Sequence, residues 1–240
     1  EISITVFRPS EKRFLHILLV RKHIVPSTVI TKLADRVLYL RISNFNQGTA
    51  NSVSKKIELG KKVEPGGLKG IVIDLRGNPG GLLKQSIRVA DLMLTHGQIL
   101  STRGHHPDSL HYYEAGGRDL TDGLPVVVII DGKSASASEI VAAALQDRDR
   151  AIIIGTSSFG KGSVQTIMPI SGHGALRLTT SLYYTPSGQS IQAKGIIPDI
   201  IVKQVRLETP PKSKSRRNES NLPNHIEAES NKKENKKEKE

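Results

Sequence analysis

Three short apolar runs, residues 70–75, 126–130 and 151–154, are separated from one another by stretches with helical spacing. Runs of valine, isoleucine and leucine without polar alternation suit strands that are covered on both faces, as in a parallel sheet. Between the first two runs, Leu83, Ile87, Ala90 and Leu94 fall on one helical face, and Gly97 supplies a stop. Between the second and third, residues 138–147 are alanine-rich and read as a helix. This alternation predicts an α/β core with a mixed, partly parallel sheet. Residues 126–130, apolar throughout, belong near its centre. Further strands are expected at 37–42, 164–170 and 175–184, with a helix over 49–59 that Pro65-Gly66-Gly67 closes off.

The two ends differ from this core. Residues 2–24 read as a β-hairpin: Ile2-Ser3-Ile4-Thr5-Val6 alternates, Arg8-Pro9-Ser10-Glu11 is a turn, and 14–24 is a second apolar strand. A lone hairpin is marginal in water and needs a surface to pack on. From Arg206 onward the chain holds almost nothing apolar, so 206–240 is expected to be a disordered charged tail.

Composition narrows the function. The net charge is +12, but only 4% of residues are aromatic, there is no Trp, and the bases form no single stripe. That argues against nucleic acid and for solubility with a mild attraction to anionic surfaces. The absence of cysteine excludes a disulfide framework, a thiolate metal site and a cysteine nucleophile. The eight histidines form no ligand spacing and there is no Gly-x-Ser-x-Gly elbow, so neither a metal nor a cofactor is expected. No stretch approaches the ~20 apolar residues of a membrane span. The chain begins with Glu and is read as a fragment, so a missing signal segment says nothing about location.

Two places carry chemistry. Ser136 lies in Ser134-Ala135-Ser136-Ala137-Ser138-Glu139, between an apolar strand and the alanine-rich helix. Lys161 lies in Phe159-Gly160-Lys161-Gly162, just after the strand at 151–154. A serine hydroxyl needs a base to become a nucleophile, and a lysine serves as that base only when neutral. Each position has plainer readings. Ser136-x-x-Glu139 is also a capping-box pattern. Gly155-x-x-x-x-Gly160-Lys161 approaches a phosphate-binding loop, but Gly162 stands where Ser or Thr is required and a strand follows. Ser158-x-x-Lys161 spells a penicillin-recognising motif, yet it opens no helix and its companion motifs are absent. A helix N-terminus gathers free N–H groups, so the Ala137 N–H can face an oxyanion. Gln165, four residues beyond Lys161, would share its face along a strand and can hold the neutral lysine. A buried structural amide is the alternative there.

The blocks Asp74-Leu75-Arg76-Gly77-Asn78-Pro79-Gly80-Gly81, Ser-Ala-Ser-Ala-Ser-Glu and Phe-Gly-Lys-Gly-Ser-Val-Gln occur in that order, and 185–191 and 195–199 extend the match. In these the chain resembles the carboxyl-terminal processing peptidases, or tail-specific proteases, over roughly residues 25–203. The resemblance implies a ClpP/crotonase-like protease core with Ser136 as nucleophile and Lys161, twenty-five residues on, as base. It also implies Gln165 as support for the lysine, and Gly80 or Gly81 with Ala137 as the oxyanion hole. Domains are expected at 1–24 (the last strands of a PDZ domain), 25–205 (the catalytic domain) and 206–240. Asp147 falls where the family carries an acid and is read as structural support for a basic partner. Thr156 stands where many relatives have an acid. The implied activity is a serine endopeptidase that cuts proteins near non-polar C-termini in the bacterial cell envelope, most naturally the periplasm. The implied partners are protein or peptide substrates held by their C-termini, with room for an adaptor lipoprotein, peripheral membrane association and a homo-oligomer. A degenerate module that only binds peptide C-termini is the alternative.

Overall fold

The computed structural model describes residues 1–22 and 25–203. The expected tail at 206–240 and the last two residues of the expected hairpin lie outside the described residues. The elements run in chain order as β1 (Ile2–Arg8), β2 (Arg13–Leu19), β3 (Val29–Ala34), β4 (Val37–Ile42), α1 (Thr49–Val63), β5 (Gly70–Asp74), α2 (Leu83–Asp91) and β6 (Gln98–Gly104). They continue as β7 (His111–Glu114), β8 (Val126–Ile130), α3 (Ala137–Asp147), β9 (Ala151–Gly155), β10 (Ser163–Ile170), β11 (Gly174–Tyr184) and β12 (Ile200–Ile201).

A six-stranded mixed sheet of order β12-β9-β8-β5-β4-β3 forms the centre. Its β4, β5, β8, β9 and β12 are parallel, and only β3 runs antiparallel. Because β4, β5, β8 and β9 succeed each other in one spatial direction, right-handed crossovers place α1, α2 and α3 on one face. Accordingly, α1 packs on α2 and α2 on α3. On that face Leu38, Leu40, Ile42, Ile71, Ile73, Val126, Val128, Ile130 and Ile153 are buried. The first nine residues of α3 are all buried, which its alanine-rich sequence permits in so crowded a layer. A four-stranded antiparallel sheet, β10-β11-β6-β7, flanks this core. Among the described residues no helix is long and apolar enough to cross a membrane.

The structure departs from the sequence pattern in identifiable ways. Helix α1 continues to Val63, where Lys61 and Lys62 suit a helix C-terminus. Helix α2 ends at Asp91 although Met93 and Leu94 remain buried, because the chain turns there to feed β6. Strand β2 stops at Leu19 rather than continuing to residue 24. Strands β3, β6, β7 and β12 were not expected. They are short, half-polar or at sheet edges, where alternation is a weak signal.

The segments that follow β4, β5, β8 and β9 all leave from the carboxyl edge of the central sheet, the edge where α/β folds build sites. Asp74 ends β5 with its side chain fully buried. Its carboxylate accepts from the Arg76 guanidinium at 2.9 and 2.7 Å, from the Arg76 N–H at 2.9 Å, and from the Tyr39 hydroxyl. Burial alone would raise this carboxyl, but the hydrogen bonds from Arg76 and Tyr39 outweigh it and hold the group below its ordinary value. A carboxyl depressed on folding adds stability above its unfolded value of about 4, and that stability is lost as pH falls through the folded value. Asp74→Asn should therefore cost on the order of 2 kcal/mol at pH 7. The two proteins should converge in stability as pH falls through the folded value of Asp74; urea melts across pH that stay parallel would refute this account.

The hairpin of β1 and β2 pairs in register from Ile2↔Leu19 to Arg8↔Arg13. Both of its faces are exposed, with Phe14 at 67% and Leu18 at 63%. Exposed apolar strands with free edges favour association. The chain should show concentration-dependent self-association that Phe14→Lys with Leu18→Lys relieves, measured by size-exclusion chromatography with light scattering. A monodisperse parent chain would contradict this.

Candidate active site

The turn after β5 is organised by Asn78, which is fully buried. Its amide nitrogen donates to the Ile42 carbonyl at 2.8 Å, and its Oδ1 accepts the Gly80 N–H at 2.9 Å. Its own carbonyl accepts the Ala135 N–H at 3.0 Å and the Ser138 hydroxyl at 3.0 Å. One asparagine thus ties the ends of β4 and β5 to the serine run. The sequence marked Asn78 only as a turn residue, because three of these contacts come from segments remote in the chain.

Of the three serines, the outer two are spent on structure. The Ser134 hydroxyl donates to the Leu75 carbonyl at 2.8 Å, the Ser138 hydroxyl is held by Asn78, and both side chains are fully buried. Ser136 is half-buried and caps α3 with φ 53° and ψ −111°. That conformation is costly for a residue with a Cβ, on the order of 1–3 kcal/mol, and persists only where the surroundings impose it. Gly80 is one such constraint. A Cβ built on it would lie 2.9 Å from Ser136 Cβ, 2.7 Å from the Ala135 oxygen and 3.0 Å from the Ala137 nitrogen. Only glycine, here at φ 105°, allows the turn to approach the serine so closely.

Glu139 is the second constraint. It is fully buried, and its Oε2 accepts the Ser136 N–H at 2.7 Å and the Lys161 N–H at 2.9 Å. Its Oε1 accepts the Gly160 N–H at 2.6 Å and the Ser158 hydroxyl at 2.5 Å. The backbone nitrogens of Ser136 and Lys161 therefore share a single oxygen atom. The capping-box spacing revealed only the first of these bonds. The other three donors lie about twenty residues onward, beyond the reach of any local pattern.

These contacts also account for Ser158. Its hydroxyl donates to Glu139 and accepts the Ile196 N–H at 2.7 Å, so it is a structural clamp. The Ala137 N–H has no acceptor among the described residues, nor does that of Gly81, whereas the Gly80 N–H is committed to Asn78. Lys161 is half-buried, and its amine has no hydrogen-bond or ion-pair partner among the described residues. Gln165 differs from expectation. Lys161 precedes β10 rather than lying within it, and the β10–β11 register shifts between Val164 and Gln165. Even spacing along a strand therefore does not align the two. Gln165 is exposed, and no hydrogen bond joins it to Lys161. Asp147 sits at the far end of α3 and gives structural support by accepting the Ser187 N–H at 2.8 Å; among the described residues it pairs with no basic side chain.

Residues 36–202 match the family model described as Peptidase family S41. The chain is 50% identical over 204 residues to the carboxy-terminal-processing protease of Bartonella bacilliformis, covering 85% of this chain and 47% of that protein. It is 35% identical over 207 residues to the carboxyl-terminal-processing protease of a Picosynechococcus species, covering 85% and 49%. A solved structure, the photosystem II D1 C-terminal processing protease, superposes with a TM-score of 0.66 at 29% identity, covering 81% of this chain and 53% of that one. The chain thus spans about half the length of the curated relatives it matches. The buried asparagine turn, the strained Ser136 and the Glu139 bridge to Lys161 are set in a core whose sequence belongs to peptidase family S41.

Proposed function

We propose that this chain is the catalytic core of a serine endopeptidase that processes proteins at their C-terminal ends, with Ser136 as nucleophile and Lys161 as general base. The observation that carries the reading is the Glu139 carboxylate, whose one oxygen holds the backbone of both residues. The strain at Ser136 and the uncommitted N–H groups of Ala137 and Gly81 support it further.

In this reading the neutral Lys161 amine takes the Ser136 proton as Oγ attacks the carbonyl carbon of the scissile bond. The new oxyanion receives the N–H groups of Ala137 and Gly81, both free of other acceptors. Collapse expels the amine of the downstream peptide, which takes the proton back from the lysine ammonium. Water then attacks the acyl ester, with Lys161 again accepting the proton, and Ser136 is released. Gly80 serves by allowing the turn to approach rather than by donating. The resemblance assigns Gln165 to steadying the lysine, a role in which its exposed amide would turn towards Lys161 when substrate is bound. The names of the relatives favour substrates cut near their C-termini, and the preference for a non-polar terminus rests on the resemblance alone. The β1–β2 hairpin would close a PDZ domain that grips that terminus.

Ser136→Ala and Lys161→Ala should each lower kcat by ~10³-fold or more with unchanged circular dichroism, while Ser136→Ala blocks acylation by a fluorophosphonate probe. Turnover by Ser136→Ala comparable to the parent would overturn the assignment. Histidine-directed reagents should leave activity intact; inactivation by them would point to another base.

Glu139→Gln tests the bridge. A neutral amide presents an NH₂ to a site that supplies four donors, so one oxygen's worth of bonds is replaced by donor–donor contact. The variant should lose on the order of 3 kcal/mol in stability and most of its activity. Wild-type melting and turnover in Glu139→Gln would show that the carboxylate does not organise the site.

A further inference from the structure

A cavity of about 400 Å³ opens beside the glycine turn, with Val25, Pro26, Phe45 and Leu82 as its apolar walls, Asn44, Asn46 and Gln47 as its polar ones, and Gly81 at its end. We propose that it receives an uncharged apolar side chain of the peptide substrate next to the scissile bond, and so sets which residue is accepted there. This rests on the reading of Ser136 as nucleophile.

Position is the first argument. Gly81 lines the cavity and is peptide-bonded to Gly80, whose built Cβ would lie 2.9 Å from Ser136 Cβ. A substrate carbonyl taking the Gly81 N–H would bring a neighbouring side chain to the mouth of this cavity. Chemistry is the second. No residue lining it is ionisable, so a charged side chain would give up water there without gaining an ionic partner. Leucine or phenylalanine would instead bury apolar area, and the volume sits at the small end of ligand pockets. Rigidity is the third. The Phe45 N–H donates to the Gly80 carbonyl at 3.0 Å, the Leu82 N–H to the Phe45 carbonyl at 2.8 Å, and the Asn46 amide to the Pro26 carbonyl at 2.7 Å. The walls are therefore pinned to the same turn that carries the Gly81 N–H, and a side chain seated between them would register the scissile carbonyl on that donor.

Val25 and Leu82 are half-exposed, at 45% and 47%, so both can be changed without opening the core. Leu82 is the N-cap residue of α2, where aspartate is well tolerated. Peptides should be compared in which each residue flanking the scissile bond is varied among Ala, Leu, Phe, Lys and Asp. Val25→Phe should narrow the cavity and lower the Leu-to-Ala ratio of kcat/KM about tenfold at one flanking position. Leu82→Asp should lower the Leu preference by a similar factor and raise Lys relative to Leu at that same position. Ratios within about twofold of the parent at every position, in both variants, overturn the proposal. The same peptides are titrated against the Ser136→Ala protein, so that binding is read without turnover. If the parent cleaves no peptide, the nucleophile reading fails. The pocket then stands or falls on whether Val25→Phe and Leu82→Asp, combined with Ser136→Ala, shift Kd in the same order.

Discussion

A single buried carboxylate holds the active region together. Glu139 takes four donors, two from the Gly160-Lys161 turn, one from Ser158 and one from Ser136. A buried charge is costly unless it is fully hydrogen-bonded, and here each oxygen has two donors. The arrangement is stable only when the segments after β8 and β9 are both in place. Desolvation thereby becomes a device for registering two loops on one another, since neither can leave without stranding the charge. It also spares the side chains of Ser136 and Lys161, because the constraint is applied through their backbones.

The rest of the site follows from strand order. Parallel strands β4, β5, β8 and β9 deliver their following segments to one edge, and polar backbone at that edge must find partners. Asn78 provides them for three of the four segments, and Glu139 links the third to the fourth. Between them, Gly80 is pressed against Ser136. The unusual backbone angles of Ser136 are thus enforced from two sides, by steric contact from the β5 turn and by a hydrogen bond from within α3. Strain of this kind does not survive unless its surroundings over-determine it.

Much of this was legible in the sequence because the signals were local and periodic. The apolar runs became β5, β8 and β9 nearly residue for residue, and the helix at 138–147 appeared one residue longer. What escaped was non-local. Asn78 and Glu139 look like turn and cap residues, and their further contacts depend on segments brought together only by the sheet. Counting along a strand aligns Gln165 with Lys161, but β10 begins only at Ser163, so the count starts outside the strand. Asp147 gives structural support through the Ser187 N–H rather than through a basic side chain, at the end of its helix opposite Ser136. Strands β3, β6, β7 and β12 are defined by their neighbours more than by their own pattern, so periodicity did not reveal them.

The distribution of committed and uncommitted groups separates scaffold from chemistry. Ser134, Ser138 and Ser158 have hydroxyls fully used inside the fold, and the Gly80 N–H is used by Asn78. The Ala137 and Gly81 N–H groups and the Lys161 amine have no intramolecular partner among the described residues, and Ala137 directly follows the half-buried Ser136. Ser134 and Ser138 obey the rule that buried polar groups are satisfied within the fold, whereas the exposed Gly81 and the half-buried Lys161 are open to water or to a bound molecule, which in the proposed reading is the substrate. A tetrahedral oxyanion offers lone pairs to two N–H donors, and a serine hydroxyl in transit offers a proton to an amine. The Ala137 and Gly81 N–H groups and the Lys161 amine match that demand in kind. The hydrogen bonds that leave them open are properties of this fold, whereas their catalytic roles rest on the resemblance to the peptidases and on the proposed reading.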